Sequence, residues 1–248
     1  MKKIAFLGCG KIGRALLEHA NAARYAQTMF IEDPYTEIDG KTVIRTPDEK
    51  NYEKIDLVIE CATAPVLKEH IEMILKNADL LMFSVTAFAD SNFSMKVDNL
   101  CQEYGHTVYL PHGAILGLDG IFDGRRIWDS VSIETIKSPE SLGREDKCRK
   151  VIYEGSTRNV CSLYPRNVNV HAAIAIAGIG LEKTQSKIIS DPAVSTNTHI
   201  IKLTGNGIKI EMNISSFAAG AVTGAYTPYS ACGSLDRICQ EQVVKKFV

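Results

Sequence analysis

The sequence has almost no net charge: 28 Lys and Arg against 29 Asp and Glu in 248 residues leave a formal −1. That balance excludes a broad electrostatic grip on nucleic acid or on anionic lipid. No uncharged apolar run reaches the roughly 18 residues that span a bilayer, so no membrane segment is expected. Internal repeats and low-complexity tracts are also missing. The opening MKKIAFLGCGKIG resembles an export leader for three residues only, before glycines and Lys11 break the apolar stretch with no small-residue cleavage site. Seven cysteines form no CxxC pair, and no histidine pair sits beside them at ligand spacing. No disulfide framework and no metal site are therefore implied. Unpaired thiols in a reduced, cytoplasmic protein are the expectation.

What is present is an ordinary globular composition, 45% apolar and 23% charged, long enough for one large domain or two small ones. Residues 3–7 form a short apolar run ending at glycine, as a buried strand does. Ile12, Ala15, Leu16, His19, Ala20 and Ala23 then recur at helical spacing. Strands are expected at Thr28–Glu32, Ile55–Cys61, Asp79–Val85 and Thr107–Leu110, with one short strand near Thr42–Arg45 in an otherwise loop-like 34–54. Pro65 opens one intervening helix and Asp90 caps another. Strands alternating with helices indicate a parallel sheet covered on both faces.

After Pro111 the rhythm changes. Ser130–Lys137, Lys183–Ser190 and His199–Leu203 read as strands, and 169–181 as a tightly packed Ala/Gly-rich helix. Gly205-Asn206-Gly207 marks a hairpin. Leu235, Ile238, Cys239, Gln242 and Val243 mark a last helix. The expected fold is α/β: a Rossmann-type dinucleotide-binding domain over 1–110 plus a second, mixed α+β domain over 111–224. The final helix, about 225–248, packs back on the first.

Gly8-Cys9-Gly10-Lys11-Ile12-Gly13 is a G-x-G-x-x-G between an expected strand and an expected helix, and Asp33 lies 20 residues beyond Gly13. Together these make the dinucleotide fingerprint. Gly8 permits the tight turn, Gly10 lets the backbone approach a pyrophosphate, and Gly13 lets helix and strand pack closely. The helix start at Lys11 and Ile12 offers free N–H groups to phosphate. Asp33 suits a ribose 2′-hydroxyl, and no arginine directly follows it, so NAD is preferred and NADP is the less favoured alternative. Cys61, Ala62, Thr63, Ser84 and Thr86 stand at strand ends, where open α/β sheets bind their ligands.

A dehydrogenase also needs a group that moves protons, and histidine is the natural choice near neutral pH. His19, His70 and His106 fall where surface or packing roles are the rule, and His171 reads as a packed residue of the Ala-rich helix. His112, just past the last strand of the first half, and His199, where a polar loop enters a strand, remain as the candidates.

The chain resembles the L-aspartate dehydrogenases over nearly its whole length. Beyond the fingerprint, the resemblance rests on Glu60-Cys61-Ala62, Ser84–Asp90 (SVTAFAD), Gly113-Ala114-Ile115 with Gly117-Leu118-Asp119, Glu134–Gly143 (ETIKSPESLG), Tyr164–Val170 (YPRNVNV) and the run from Asp191 to His199. It implies NAD-dependent oxidation of L-aspartate, reversibly, to iminosuccinate and thence to oxaloacetate and ammonia, with a link to NAD biosynthesis. By the same likeness His199 is the catalytic histidine, and Ala114 and Asn169 contact the cofactor. Lys137 and Arg166, inside matching stretches, are candidates for the substrate carboxylates. His112 stands where the family often has serine, which adds a titrating group. The family's Asn-Pro-Lys-Thr-Ser run is replaced by FAAGAVTGAYTPYSACG at 217–233. Two other readings remain: an oxidoreductase of the same architecture acting on another amino acid or imine, and a non-catalytic NAD-binding sensor. A homodimer or higher homo-oligomer is expected, its open sheet face covered by a second copy.

Overall fold

Burial of Ile4, Ala5, Phe6 and Leu7 makes the opening run the central strand β1 (Lys2–Leu7), which stops at Gly8 because the backbone turns there with φ +84°. The computed structural model describes residues 1–217 and 224–239. The chain divides into two compact units, Met1–Pro111 with the stretch from Pro228 onward, and His112–Thr227.

In the first unit α1 (Lys11–Ala23) turns Leu16, Leu17 and Ala20 inward. β2 (Ala26–Glu32), β3 (Val43–Ile44), β4 (Leu57–Glu60), β5 (Asp79–Met82) and β6 (Val108–Tyr109) complete a parallel sheet of order β3-β2-β1-β4-β5-β6. That is the doubly wound order of dinucleotide-binding folds, with its switch point beside β1. Between strands lie α2 (Glu49–Tyr52), α3 (Ala64–Leu75) and α4 (Ser91–Tyr104). The Asp90 carboxylate accepts the N–H groups of Asn92 and Phe93, a side-chain cap as its position before the helix suggests. The stretch at 34–54 holds more than a loop and one strand: α2 buries Tyr52, whose hydroxyl donates to Glu32. The strand expected to reach Val85 ends at Met82, and Val85–Ala89 coils into a 3-10 turn.

The second unit contains α5 (Leu118–Asp123), β7 (Ser130–Lys137), β8 (Lys150–Ser156), α6 (Thr157–Leu163), α7 (Asn169–Ala177), β9 (Gln185–Ser190), β10 (Thr196–Gly205) and β11 (Ile208–Phe217). Its sheet runs β11-β10-β7-β9-β8, antiparallel except for β7 beside β9. Asn206 and Gly207 take φ of +46° and +78°, the left-handed pair that a two-residue hairpin needs. β8 has no counterpart among the strands expected from sequence.

α8 (Thr227–Cys239) belongs to the first unit, where Ala231, Leu235 and Cys239 join Ile4, Phe6, Leu16 and Leu17 in one core cluster. Gln242, Val243 and the rest of the expected helix beyond Cys239 lie outside the described residues, as do 218–223 of the altered 217–233 segment. Among the described residues, no helix is long and apolar enough to cross a membrane.

Candidate active site

The glycines after β1 divide into two kinds. A Cβ on Gly8 would stand 2.8 Å from the Ala62 backbone, and one on Gly13 would stand 2.9 Å from the Gly8 carbonyl oxygen, so both keep strand and helix in close contact. A Cβ on Gly10 would meet nothing within 4 Å. Gly10 is exposed and caps α1 without a side-chain hydrogen bond, leaving open space over the first-turn N–H groups around Lys11 and Ile12. That cradle fits a dinucleotide pyrophosphate.

Asp33 follows the last residue of β2 and is only 8% exposed. Its Oδ2 accepts the Cys9 N–H at 2.8 Å, and its Oδ1 accepts those of Tyr35 and Thr36 at 2.9 Å each. Burial alone would raise this carboxyl, yet the N–H donors of Cys9, Tyr35 and Thr36 bring it below the ordinary carboxylate range. Asp33 thus braces the fingerprint loop, with both carboxylate oxygens engaged. Arg45 was not visible as a neighbour in sequence. Pairing of β3 with β2 delivers it there, and its guanidinium donates to the carbonyls of Asp33 and Thr36.

At the carboxyl edge of the sheet, Glu60 is fully buried at the end of β4. It accepts N–H groups from Ala62 (2.8 Å), Phe83 (3.1 Å) and Ser84 (2.8 Å) and the Ser84 hydroxyl (2.8 Å). Burial pushes the Glu60 carboxyl up, with those donors opposing. One carboxylate therefore ties the ends of β4 and β5 together, and Ser84 serves it. Cys61, Ala62 and Thr63 beside it are part-exposed, and Thr86 is buried in the 3-10 turn.

In the second unit, register sets the chemistry. β10 places His199 opposite Thr135 and Ile201 opposite Ile133, while β9 places Ile188 beside Thr135 and Ser186 beside Ile133. Side chains alternate faces along a strand, so Thr135, Lys137 and His199 share one face with Val131, Ile133, Ile201 and Leu203. That face is apolar at one end and polar at the other, and every one of these residues is buried. His199 Nδ1 is 2.8 Å from Thr135 Oγ1, and His171 Nε2, from α7, is 2.6 Å from the same oxygen. His171 is completely buried, as a packed residue would be, but its ring is fully engaged in polar contacts.

Burial lowers the His199 imidazole to about 3, the Lys137 charge adding to the effect. Burial likewise brings the Lys137 ammonium down to about 8. At neutral pH the pair is a neutral imidazole, with a nitrogen free of a proton, beside a largely cationic amine that can face an anion.

Of the other expected residues, Asn169 begins α7 and is part-exposed, as are His112 and Ala114 in the segment that opens the unit. Arg166 is exposed in the loop before α7. The sheet face brings together His199 and Lys137, and the structure adds Thr135 and His171 to them. His19, His70 and His106 engage Asp236, Glu32 and Asp79 within the first unit.

Comparison with known proteins agrees with this picture. Residues 123–238 match the family model described as aspartate dehydrogenase, C-terminal, and residues 8–111 match the NAD-binding domain of homoserine dehydrogenase. The L-aspartate dehydrogenase of Thermotoga maritima is 35% identical over 81% of each chain. That of Nitrosopumilus maritimus is 29% identical over 98% of each. A crystal structure of aspartate dehydrogenase from Thermotoga maritima superposes with a TM-score of 0.82 at 28% identity, covering 99% of this chain and all of that one. A dihydrodipicolinate reductase from Paenisporosarcina, 13% identical with a TM-score of 0.53, shares the fold. The chain belongs to the L-aspartate dehydrogenase family and is a nicotinamide-dependent amino acid dehydrogenase that uses NAD.

Proposed function

We propose that the chain oxidises L-aspartate with NAD to iminosuccinate, which hydrolyses to oxaloacetate and ammonia, and that it runs the reverse amination as well. The observation that carries this reading is the pairing of a neutral, buried His199 with a buried Lys137 on one sheet face. The names of the 35%- and 29%-identical relatives supply the substrate. Bound NAD supplies the hydride acceptor. The glycine cradle at Gly8, Gly10 and Gly13, with the helix start at Lys11 and Ile12, holds the pyrophosphate. Asp33, at the end of β2, faces the ribose, and Cys61, Ala62, Thr63, Ser84 and Thr86 form the edge at which the cofactor lies. Ala114 and Asn169 contact it from the second unit's sequence, so that 1–110 with the last helix is the NAD-binding domain and 111–224 the catalytic one.

His199 takes a proton from the substrate amine or from the attacking water, and returns it to nitrogen in the aminating direction. Lys137 binds a substrate carboxylate, with Arg166 and His112 as further contacts. The imine product is then available to pyridine nucleotide synthesis. All seven cysteines are free, consistent with work in a reduced cytoplasm. The exposed Ile208 and Ile210 on the edge strand β11 support a homodimer or larger homo-oligomer, which sedimentation analysis decides.

The test is direct. Purified protein is offered a panel of amino acids with NAD while NADH absorbance is followed, and aspartate is expected to give the highest kcat/KM. His199→Ala lowers kcat about 10²- to 10⁴-fold, with the calorimetric Kd for NAD unchanged. Turnover near that of the unmodified enzyme removes His199 from the role, and a faster reaction with another amino acid replaces the substrate.

A further inference from the structure

Behind His199 the buried polar groups of the second unit form an unbroken series of hydrogen bonds that draws on β7, α7, β9 and α6. Thr135 Oγ1 contacts both His199 Nδ1 (2.8 Å) and His171 Nε2 (2.6 Å). His171 Nδ1 is 2.9 Å from Ser186 Oγ, which is 2.7 Å from Thr157 Oγ1. Thr157 Oγ1 is 3.0 Å from the carbonyl oxygen of Thr184. Thr135, Thr157, His171, Ser186 and His199 are all buried.

The carbonyl at the far end sets the direction of every bond. It can only accept, so the single hydroxyl proton of Thr157 goes to it. Thr157 Oγ1 must then accept from Ser186, whose proton is thereby committed. Ser186 Oγ accepts in turn from His171 Nδ1–H. A neutral His171 has no second proton, so its Nε2 accepts from Thr135. The Thr135 oxygen, its own proton committed, accepts from His199 Nδ1–H. His199 Nε2 is left bare.

We propose that Thr135, His171, Ser186 and Thr157 are positioning residues that hold His199 in its Nδ1–H tautomer, making Nε2 its proton-accepting atom. This rests on the reading of His199 as the proton-handling group. Neutrality of His171, on which the logic depends, follows from its complete burial, to which the neighbouring Lys137 charge adds. The series does not conduct protons, because a backbone carbonyl cannot take one up. It works as the acceptor behind a catalytic imidazole does elsewhere, fixing ring orientation and tautomer, but ends on main chain instead of on a carboxylate.

Nitrogen NMR of histidine-labelled enzyme reads the tautomer without reference to turnover. His199 is expected to be protonated at Nδ1 and bare at Nε2. Thr135→Val removes the acceptor, so the tautomer signature should become mixed and kcat should fall, by at most the roughly 10²- to 10⁴-fold that a positioned proton-transfer group contributes. The Kd for NAD should stay unchanged, and Thr135→Ser should restore both tautomer and rate.

Ser186→Ala, which removes a hydroxyl bonded to His171 and Thr157 and not directly to His199 or Thr135, is the second variant if Thr135→Val does not fold. Without the serine acceptor, His171 is free to protonate at Nε2, which reverses the Thr135 hydroxyl and moves the His199 proton to Nε2. A signature changed by that remote substitution, with a lowered kcat, is the expected result. A wild-type His199 protonated at Nε2 overturns the proposal, as does a tautomer unmoved by either substitution. If instead His199→Ala keeps its activity while the signature is as described, the reading of His199 fails and the hydrogen-bond arrangement stands.

Discussion

Lys137 carries the residue-scale chemistry that is easiest to separate from everything else. Its ammonium has been brought down to about 8 by burial, so in the free enzyme it loses its charge above that pH while exposed lysines keep theirs. If it binds a substrate carboxylate, kcat/KM for aspartate falls about tenfold per pH unit on the alkaline side of 8, because that parameter reports free-enzyme groups. The KM for NAD does not follow. Lys137→Met should lower kcat/KM at every pH and abolish the alkaline limb, and a limb that survives the substitution assigns it to another group. Lys137 and His199 were both candidates from sequence through the stretches that resemble the family, and strand register brings them to one sheet face. Thr135 and His171 were not, since their role depends on β7 lying between β9 and β10 in one register, and a single chain shows residue types without their partners. Arg45 was hidden for the same reason: twelve residues separate it from the Asp33 carbonyl that it reaches through strand pairing.

At the scale of elements, the turn from β1 into α1 separates a packing glycine from a ligand glycine. Gly13→Ala drives a methyl to 2.9 Å from a backbone oxygen, which cannot swing away, and should cost about 1–3 kcal/mol of stability as overpacking does. Gly10→Ala meets open space at an ordinary φ of −73°, so the melting temperature without cofactor should barely move. The same methyl occupies the cradle, so the calorimetric Kd for NAD should rise. Equal effects of the two substitutions on melting would show that Gly10 also packs against protein. Elements of this size were legible wherever periodicity had room to declare itself, as in α1 and α4, with Leu16 and Phe93 facing inward. α2 is four residues long, too short for any helical period, and it was missed although it buries Tyr52. β8 was missed because it is an edge strand whose seven residues are all exposed or part-exposed, giving no alternation of apolar with polar.

Across the whole molecule, the shifted histidines give the two units opposite responses to pH. In the second unit His199 titrates near 3 instead of the ordinary 6.5, and His171 is displaced in the same direction. The folded form therefore binds fewer protons than the unfolded one below 6.5, and stability falls as the pH falls, by about 1.4 kcal/mol per unit for each group. By about pH 5 His199 alone removes about 2 kcal/mol. In the first unit His70 is raised, chiefly by its hydrogen bond to Glu32, 2.8 Å away. Its contribution is fully present below 6.5 and is lost as the pH rises through its folded value. Glu60, raised by burial, has the same sign. Mild acid should thus weaken the second unit relative to the first, and alkali should weaken the first. Hydrogen exchange at about pH 5 and about pH 8, corrected for intrinsic rates, reads this segment by segment. On acidification, protection of β7, β9 and β10 should fall relative to that of β1, β4 and β5. Replacing His199 by Asn removes one of the two groups responsible and should make the acid loss in the second unit shallower, with the first unit unaffected. If both units lose protection in parallel and the substitution changes nothing, the acid response lies in the carboxylates that the two units share in kind, and the buried imidazoles do not govern it.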